Sequence, residues 1–193
     1  MEKQKFSVWK TITIGNELET AREFKKKLAK LPSPKYITYR AYYLLDLIKY
    51  FGQVRKLDLV MVTAKDLNIT EWDTRVNLAE DGMPSCYCDL SMTEYLIFKA
   101  KKCGLRVCPP EVGQALMCEP YDSLGNMLIG MESVSTIDPL NKLLGEDHLR
   151  FRIIKRRDYV VDEWFEGDCF LDAFGTHELG KEDVRLSTWV FVQ

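Results

Sequence analysis

The stretch "LRFRIIKRR", residues 149–157, mixes branched aliphatic and aromatic side chains with basic ones and reads as a strand. It belongs to a series. "NMLIGMESV" (126–134), "DYVVDEWF" (158–165) and the terminal "STWVFVQ" (187–193) are runs of the same kind, set apart by clusters of Gly, Pro, Asn and Asp that mark turns. Successive strands joined by turns predict a mainly antiparallel sheet over the final third of the chain.

Upstream the period changes. "FSVWKTITIG" (6–15) reads as a strand running into a turn at Gly15, and "KLDLVMVTA" (56–64) as a buried strand. Between them, Leu18, Ala21, Phe24, Leu28 and Leu31 recur at three- and four-residue spacing, which predicts an amphipathic helix stopped by "PSP" at 32–34. "KYITYRAYYLLDLIKYF" (35–51) predicts a second helix with two faces. Ile37, Ala41, Leu44, Leu45, Ile48 and Phe51 form a broad apolar face, and Tyr36, Tyr39, Tyr43 and Tyr50 a narrow stripe apart from it. Such a helix is either sandwiched within the fold, the favoured reading, or turns its second side to a partner. "NITEWDTRVNLAEDGMPSCYCDL" (68–90) has no sustained period and reads as a long loop. A third helix opens on the capping pattern Ser91-x-x-Glu94 and closes at Gly104. Helices early and strands late predict one α+β domain over residues 1–193, its sheet covered on one face by two or three helices.

The composition, with a hydrophobic fraction of 46% and a charged fraction of 29%, is that of a globular chain rather than a disordered or fibrous one. No apolar run reaches the roughly 18 residues of a membrane span, and the opening "MEKQKFSVWK" lacks the apolar core of a signal peptide, so the expected location is cytoplasmic with no membrane partner. The net charge of −2 conceals a polarity: residues 1–60 carry +7 and the remainder −9. A basic first third could face an anion or nucleic acid, or simply attract the acidic remainder in the fold. The nine carboxylates between Asp158 and Asp183 read as a solvated face, and "KRR" at 155–157 is too short to indicate nucleic-acid binding.

Chemistry, if present, concentrates in "CGLRVCPPEVGQALMCE" (103–119), which holds three of the six cysteines. Zinc would need Cys86-x-Cys88 joined to Cys103-x4-Cys108, an irregular set, so buried reduced thiols and no metal or cofactor are expected. For a reactive thiol the candidate is Cys108, because Pro110 suits the first turn of a helix through "EVGQALM" and that helix start would favour a nearby thiolate. Glu111 would accompany it in the first turn, where a carboxylate also complements the helix dipole. The base would be a histidine, His148 or His177, both in expected loops.

The chain resembles an uncharacterised family of small soluble proteins from uncultured candidate-phylum bacteria. The matching pieces are "FSVWKTITIG", "CGLRVCPPEVGQALM", "MLIGMES" and "WVFV", under half of the chain. The resemblance implies no activity, cofactor or catalytic residue; it implies a soluble bacterial setting and directs attention to Cys108, Pro110, Glu111 and Gly113. The leading functional expectation is a non-enzymatic interaction module, meeting another protein or a second copy of itself through Tyr36, Tyr39, Tyr43 and Tyr50 or through the acidic C-terminal face. The alternatives are a small thiol-dependent enzyme using Cys108, and an anion or nucleic-acid binder using the basic first third.

Overall fold

The computed structural model describes residues 5–15, 21–31, 35–48, 53–70, 75–77, 87–89, 91–120, 125–137, 146–155, 169–175, 179 and 181–193. Strand β1 (Lys10–Ile14) ends at Gly15, whose φ of +85° favours glycine, and leads to helix α1 (Ala21–Leu28). Strand β2 (Lys35–Ile37) and helix α2 (Tyr39–Leu47) follow, then strand β3 (Arg55–Val62). A small antiparallel pair, β4 (Arg75–Asn77) with β5 (Tyr87–Asp89), lies within the stretch read as a long loop. Helix α3 (Met92–Lys102) has the expected reciprocal cap between Ser91 and Glu94, and Gly104 just past its end takes a φ of +87°. Helix α4 (Glu111–Met117), strands β6 (Met127–Ile129), β7 (Val134–Ile137), β8 (Glu146–Lys155) and β9 (Cys169–Gly175), helix α5 (Lys181–Leu186) and strand β10 (Trp189–Val192) complete the order.

The architecture is α+β, with a mixed sheet in the order β1-β3-β10-β6-β8-β9-β2; β7 also pairs with β8. The expectation of a mainly antiparallel sheet is thereby corrected. Strand β10 runs parallel to β6, and β2 parallel to β9. Neither pair is joined by a hairpin, so no short turn imposes opposite directions on them. Strands β6 and β7 occupy one side of β8 end to end, Leu128 facing Arg152 and Val134 facing Leu149, with the chain irregular between them. The expected strand "DYVVDEWF" lies outside the described residues, whereas β9 and α5 were not anticipated.

The predicted second helix is split. Residues 35–37 form a strand, and the helix begins only after Thr38. Thr38 makes the break: its backbone N–H donates to Leu171 O (3.0 Å) in β9, while its hydroxyl accepts from Ala41 N (3.3 Å) and donates to Asp172 Oδ1 (2.6 Å). One residue thus finishes a parallel strand pairing and caps a helix. Asp172 is completed by Arg152, whose Nε and Nη2 lie 2.8 and 2.6 Å from Oδ2. Asp172 is buried rather than part of a solvated acidic face.

Side chains alternate across the sheet into two buried clusters. Val190 and Val192 of β10 join one, with Leu57, Leu59, Ile129, Phe151, Ile153 and Leu171; Trp189 and Phe191 join the other, with Val60, Val62 and Phe174. Buried residues of α1, α2 and α4 belong to the first cluster, those of α3 and α5 to the second. Helical side chains therefore pack with both sets of strand residues, which departs from the one-sided cover expected from sequence.

The sheet cannot be flat. Helix α4 packs against β1 and also against β8 and β9. In a flat sheet β1 and β9 would stand about 24 Å apart at five strand spacings, and a helix is only about 10–12 Å wide. The sheet therefore curls around α4. This explains why six of the seven residues of α4 are buried, although a short surface helix normally exposes one side.

Candidate functional site

Residues 105–119, the segment that the sequence singles out, are threaded into this curl. Arg106 pairs with Val192 through two backbone hydrogen bonds (2.8 and 2.9 Å), and Cys108 bridges to Met131, its N–H donating to Gly130 O at 2.7 Å. Pro109 and Pro110 then turn the chain into α4; Pro110 already has helical angles, φ −57° and ψ −29°.

Cys108 is fully packed, and its Sγ donates to Val190 O at 3.3 Å. Burial pushes the thiol well above its ordinary range, which disfavours the thiolate a nucleophile needs. His148 lies not in a loop but in β8, opposite Ser135; His177 is outside the described residues. Cys169 is buried, its Sγ 3.9 Å from Met117 Sδ, while Cys103 and Cys118 are half-buried. Cys88 takes part in β5, and Cys86 is outside the described residues. Among the described residues no group of three or more His, Cys, Asp or Glu is placed to hold a metal ion.

These placements predict an order of thiol reactivity. Under native conditions iodoacetamide labels Cys103 and Cys118 ahead of Cys108 and Cys169, which react only when the protein unfolds; peptide mapping by mass spectrometry reads the order. Native labelling of Cys108 at the rate of a free thiol would contradict its burial.

The two ends of α4 carry the polar groups. At its start, Glu111 is 5% exposed, and Arg55 at the beginning of β3 approaches Oε1 only to 3.9 Å. Among the described residues nothing donates a hydrogen bond to Oε2. At the other end, Lys35 of β2 places its ammonium against the carbonyls of Met117 (2.7 Å) and Glu119. Lys10 of β1 meets the carboxylate of the same Glu119 at 2.7 Å. Strands β1 and β2 are the two ends of the sheet order, roughly 29 Å apart if the sheet were flat, yet both reach residue 119. The curl is fastened there by two lysines from opposite edges. Burial lowers the Lys35 pKa, against the opposing pull of Cys169, Cys118 and Glu119. No local sequence pattern marks Lys35, Lys10 and Glu119 as a set. The one available signal was a lysine at the start of an otherwise aromatic and β-branched triplet.

The tyrosine stripe is not one helical line. Tyr36 belongs to β2 and is 39% exposed, Tyr39 opens α2 and is 59% exposed, and Tyr43 is half-buried. Tyr50 lies outside the described residues. The opposite face of α2 is as expected, with Ala41, Leu44, Leu45 and Ile48 buried. Helix α1 packs against both β2 and α2 and exposes Arg22, Lys25, Lys26 and Lys27, with Lys30 just beyond; Lys25 Nζ sits 5.7 Å from the centre of the Tyr42 ring. No helix among the described residues is long and apolar enough to cross a membrane.

Compared with protein-family models, with curated proteins and with solved structures, the chain matches none.

Proposed function

We propose that the protein is a non-enzymatic interaction module that engages an acidic polypeptide surface through the corner formed by β2 and the start of α2. The observation that carries the reading is the exposure of two tyrosines, Tyr36 and Tyr39, on a terminal strand of the sheet and the helix it leads into. Tyrosine at such a position offers a large apolar face with a hydroxyl that tolerates a wet rim, the combination enriched at protein interfaces. The basic side chains of α1, which packs on the same two elements, set the sign of the partner. A second copy of the chain meets that requirement, because residues 61–193 carry nine net negative charges. A thiol mechanism is less well supported, given the packing of Cys108 against Val190 O.

The test is sedimentation of the pure protein over a range of salt, with retention on immobilised polyglutamate and on single-stranded DNA as parallel arms. Self-association or polyglutamate retention that falls by at least tenfold in Tyr36→Ser/Tyr39→Ser, at unchanged thermal midpoint, is the expected result. A protein that stays monomeric and passes through the polyglutamate column would sink the proposal. Retention on DNA alone would replace it by nucleic-acid binding.

A further inference from the structure

We propose that Glu111 is a binding site for a primary ammonium group. An ionised carboxylate can accept about four hydrogen bonds. Among the described residues nothing donates to Oε2, and Arg55 Nη2 stops 3.9 Å from Oε1, beyond hydrogen-bond length. A carboxylate at 5% exposure normally has its lone pairs filled, because a buried charge without donors is costly. Such a violation of local rules inside a well-packed region is where function is expected.

The chemistry of the occupant follows from the surroundings. An anion would be repelled by the carboxylate. A hard metal ion needs several oxygen ligands, and no group of three or more His, Cys, Asp or Glu that could hold one is present among the described residues. A guanidinium is already offered by Arg55 and does not close the distance. An ammonium is more compact, carries three donors on a point charge, and can approach where a planar fork cannot. Access is from the Arg55 side, since that side chain is 41% exposed. The occupant is therefore either a free small primary amine or the lysine side chain of a partner. The inference does not depend on the tyrosine corner, which lies on other elements.

The experiment titrates the intact protein with methylammonium chloride and, separately, with the peptide acetyl-Gly-Lys-Gly-amide, following the backbone amide resonances of residues 111–115. Tetramethylammonium, which has the charge but no N–H donor, is the control. Saturable shifts with methylammonium support a free amine; saturation by the peptide alone supports a partner's lysine. In both cases Glu111→Gln abolishes the response, and Arg55→Ala tightens binding about threefold or more by removing the competing cation. No saturable shift with either probe overturns the proposal, as does an equal response to tetramethylammonium or persistence in Glu111→Gln. Should Glu111→Gln not fold, Arg55→Ala decides, because Arg55 is partly exposed: weaker binding in that variant rejects the proposal.

Discussion

Gly130→Ala lowers stability by about 3 kcal/mol, the upper end of the range for forcing an extra methyl into a packed core. A Cβ on Gly130 would lie 2.3, 2.5 and 2.7 Å from Cε1, Cζ and Cδ1 of Phe191. Neither side can yield cheaply. The Phe191 ring is fully buried and stacks on Trp189 at 6.5 Å between centroids, and Trp189 is itself held by a hydrogen bond from Nε1 to Val184 O at 3.3 Å. The Gly130 backbone is fixed from both ends, its N–H donating to Val190 O (2.9 Å) and its carbonyl accepting from Cys108 N (2.7 Å). Urea unfolding is the measurement: the midpoint should fall with the slope unchanged. Gly125→Ala is the control, because a Cβ there meets nothing within 4 Å, and its unfolding free energy should stay within about 0.5 kcal/mol of the parent's. Equal behaviour of the two variants would show that the Phe191 ring is free to move aside, and that the contact between β10 and the 130–131 corner is loose.

That corner illustrates what sequence could and could not supply. The run "NMLIGMESV" was legible as extended chain because methionine, leucine and isoleucine sit together between turn formers. Its division into β6 and β7 was not legible. The division follows from Gly130 joining β10 and Cys108, two segments distant in sequence. The same contrast runs through the molecule. Helix α3 was readable because its cap is local, with Ser91 and Glu94 three residues apart. Strands β1, β3 and β10 were readable from their own β-branched and aromatic content. Strand β2 was hidden inside a helical pattern because its pairing partner, β9, lies far along the chain, and tertiary pairing overrode a strong local period.

The site was half visible for the same reason. The prolines before Glu111 marked the start of α4, and the sequence alone could place Glu111 only in its first turn, as a companion of Cys108 or a complement to the helix dipole. Its burial depends on the curl of the sheet, which no local pattern encodes. Tyr36 and Tyr39 could be recognised as aromatic positions apart from the apolar face of α2. Their exposure on two different elements required Thr38 to be seen capping the helix.

Lys35→Met tests whether the two ends of the sheet order are held at residue 119. The substitution keeps the apolar stem and removes the ammonium that binds the carbonyls of Met117 and Glu119. Hydrogen bonds to a charged donor contribute about 1.5–3 kcal/mol each, but part of that is offset because an ammonium no longer has to be buried. The net loss expected at neutral pH is about 2 kcal/mol. The Lys10–Glu119 contact survives in the variant and sets a lower bound on how far the seam loosens. The pH dependence has a definite sign. Burial holds the folded-state pKa of Lys35 below the ordinary lysine value that the unfolded chain keeps, with Lys10 adding to the depression and Cys169, Cys118 and Glu119 opposing it. Between those two values the unfolded chain binds the proton and the folded protein releases it, so the parent gains stability as pH rises through that alkaline window. The variant lacks the group and gains nothing from it. The difference between the two urea midpoints should therefore widen as pH climbs toward the ordinary lysine range. A difference that narrows instead would mean that the ammonium is stabilised by its carbonyl partners more than burial penalises it, and that the seam is fastened by charge rather than by the hydrogen bonds alone.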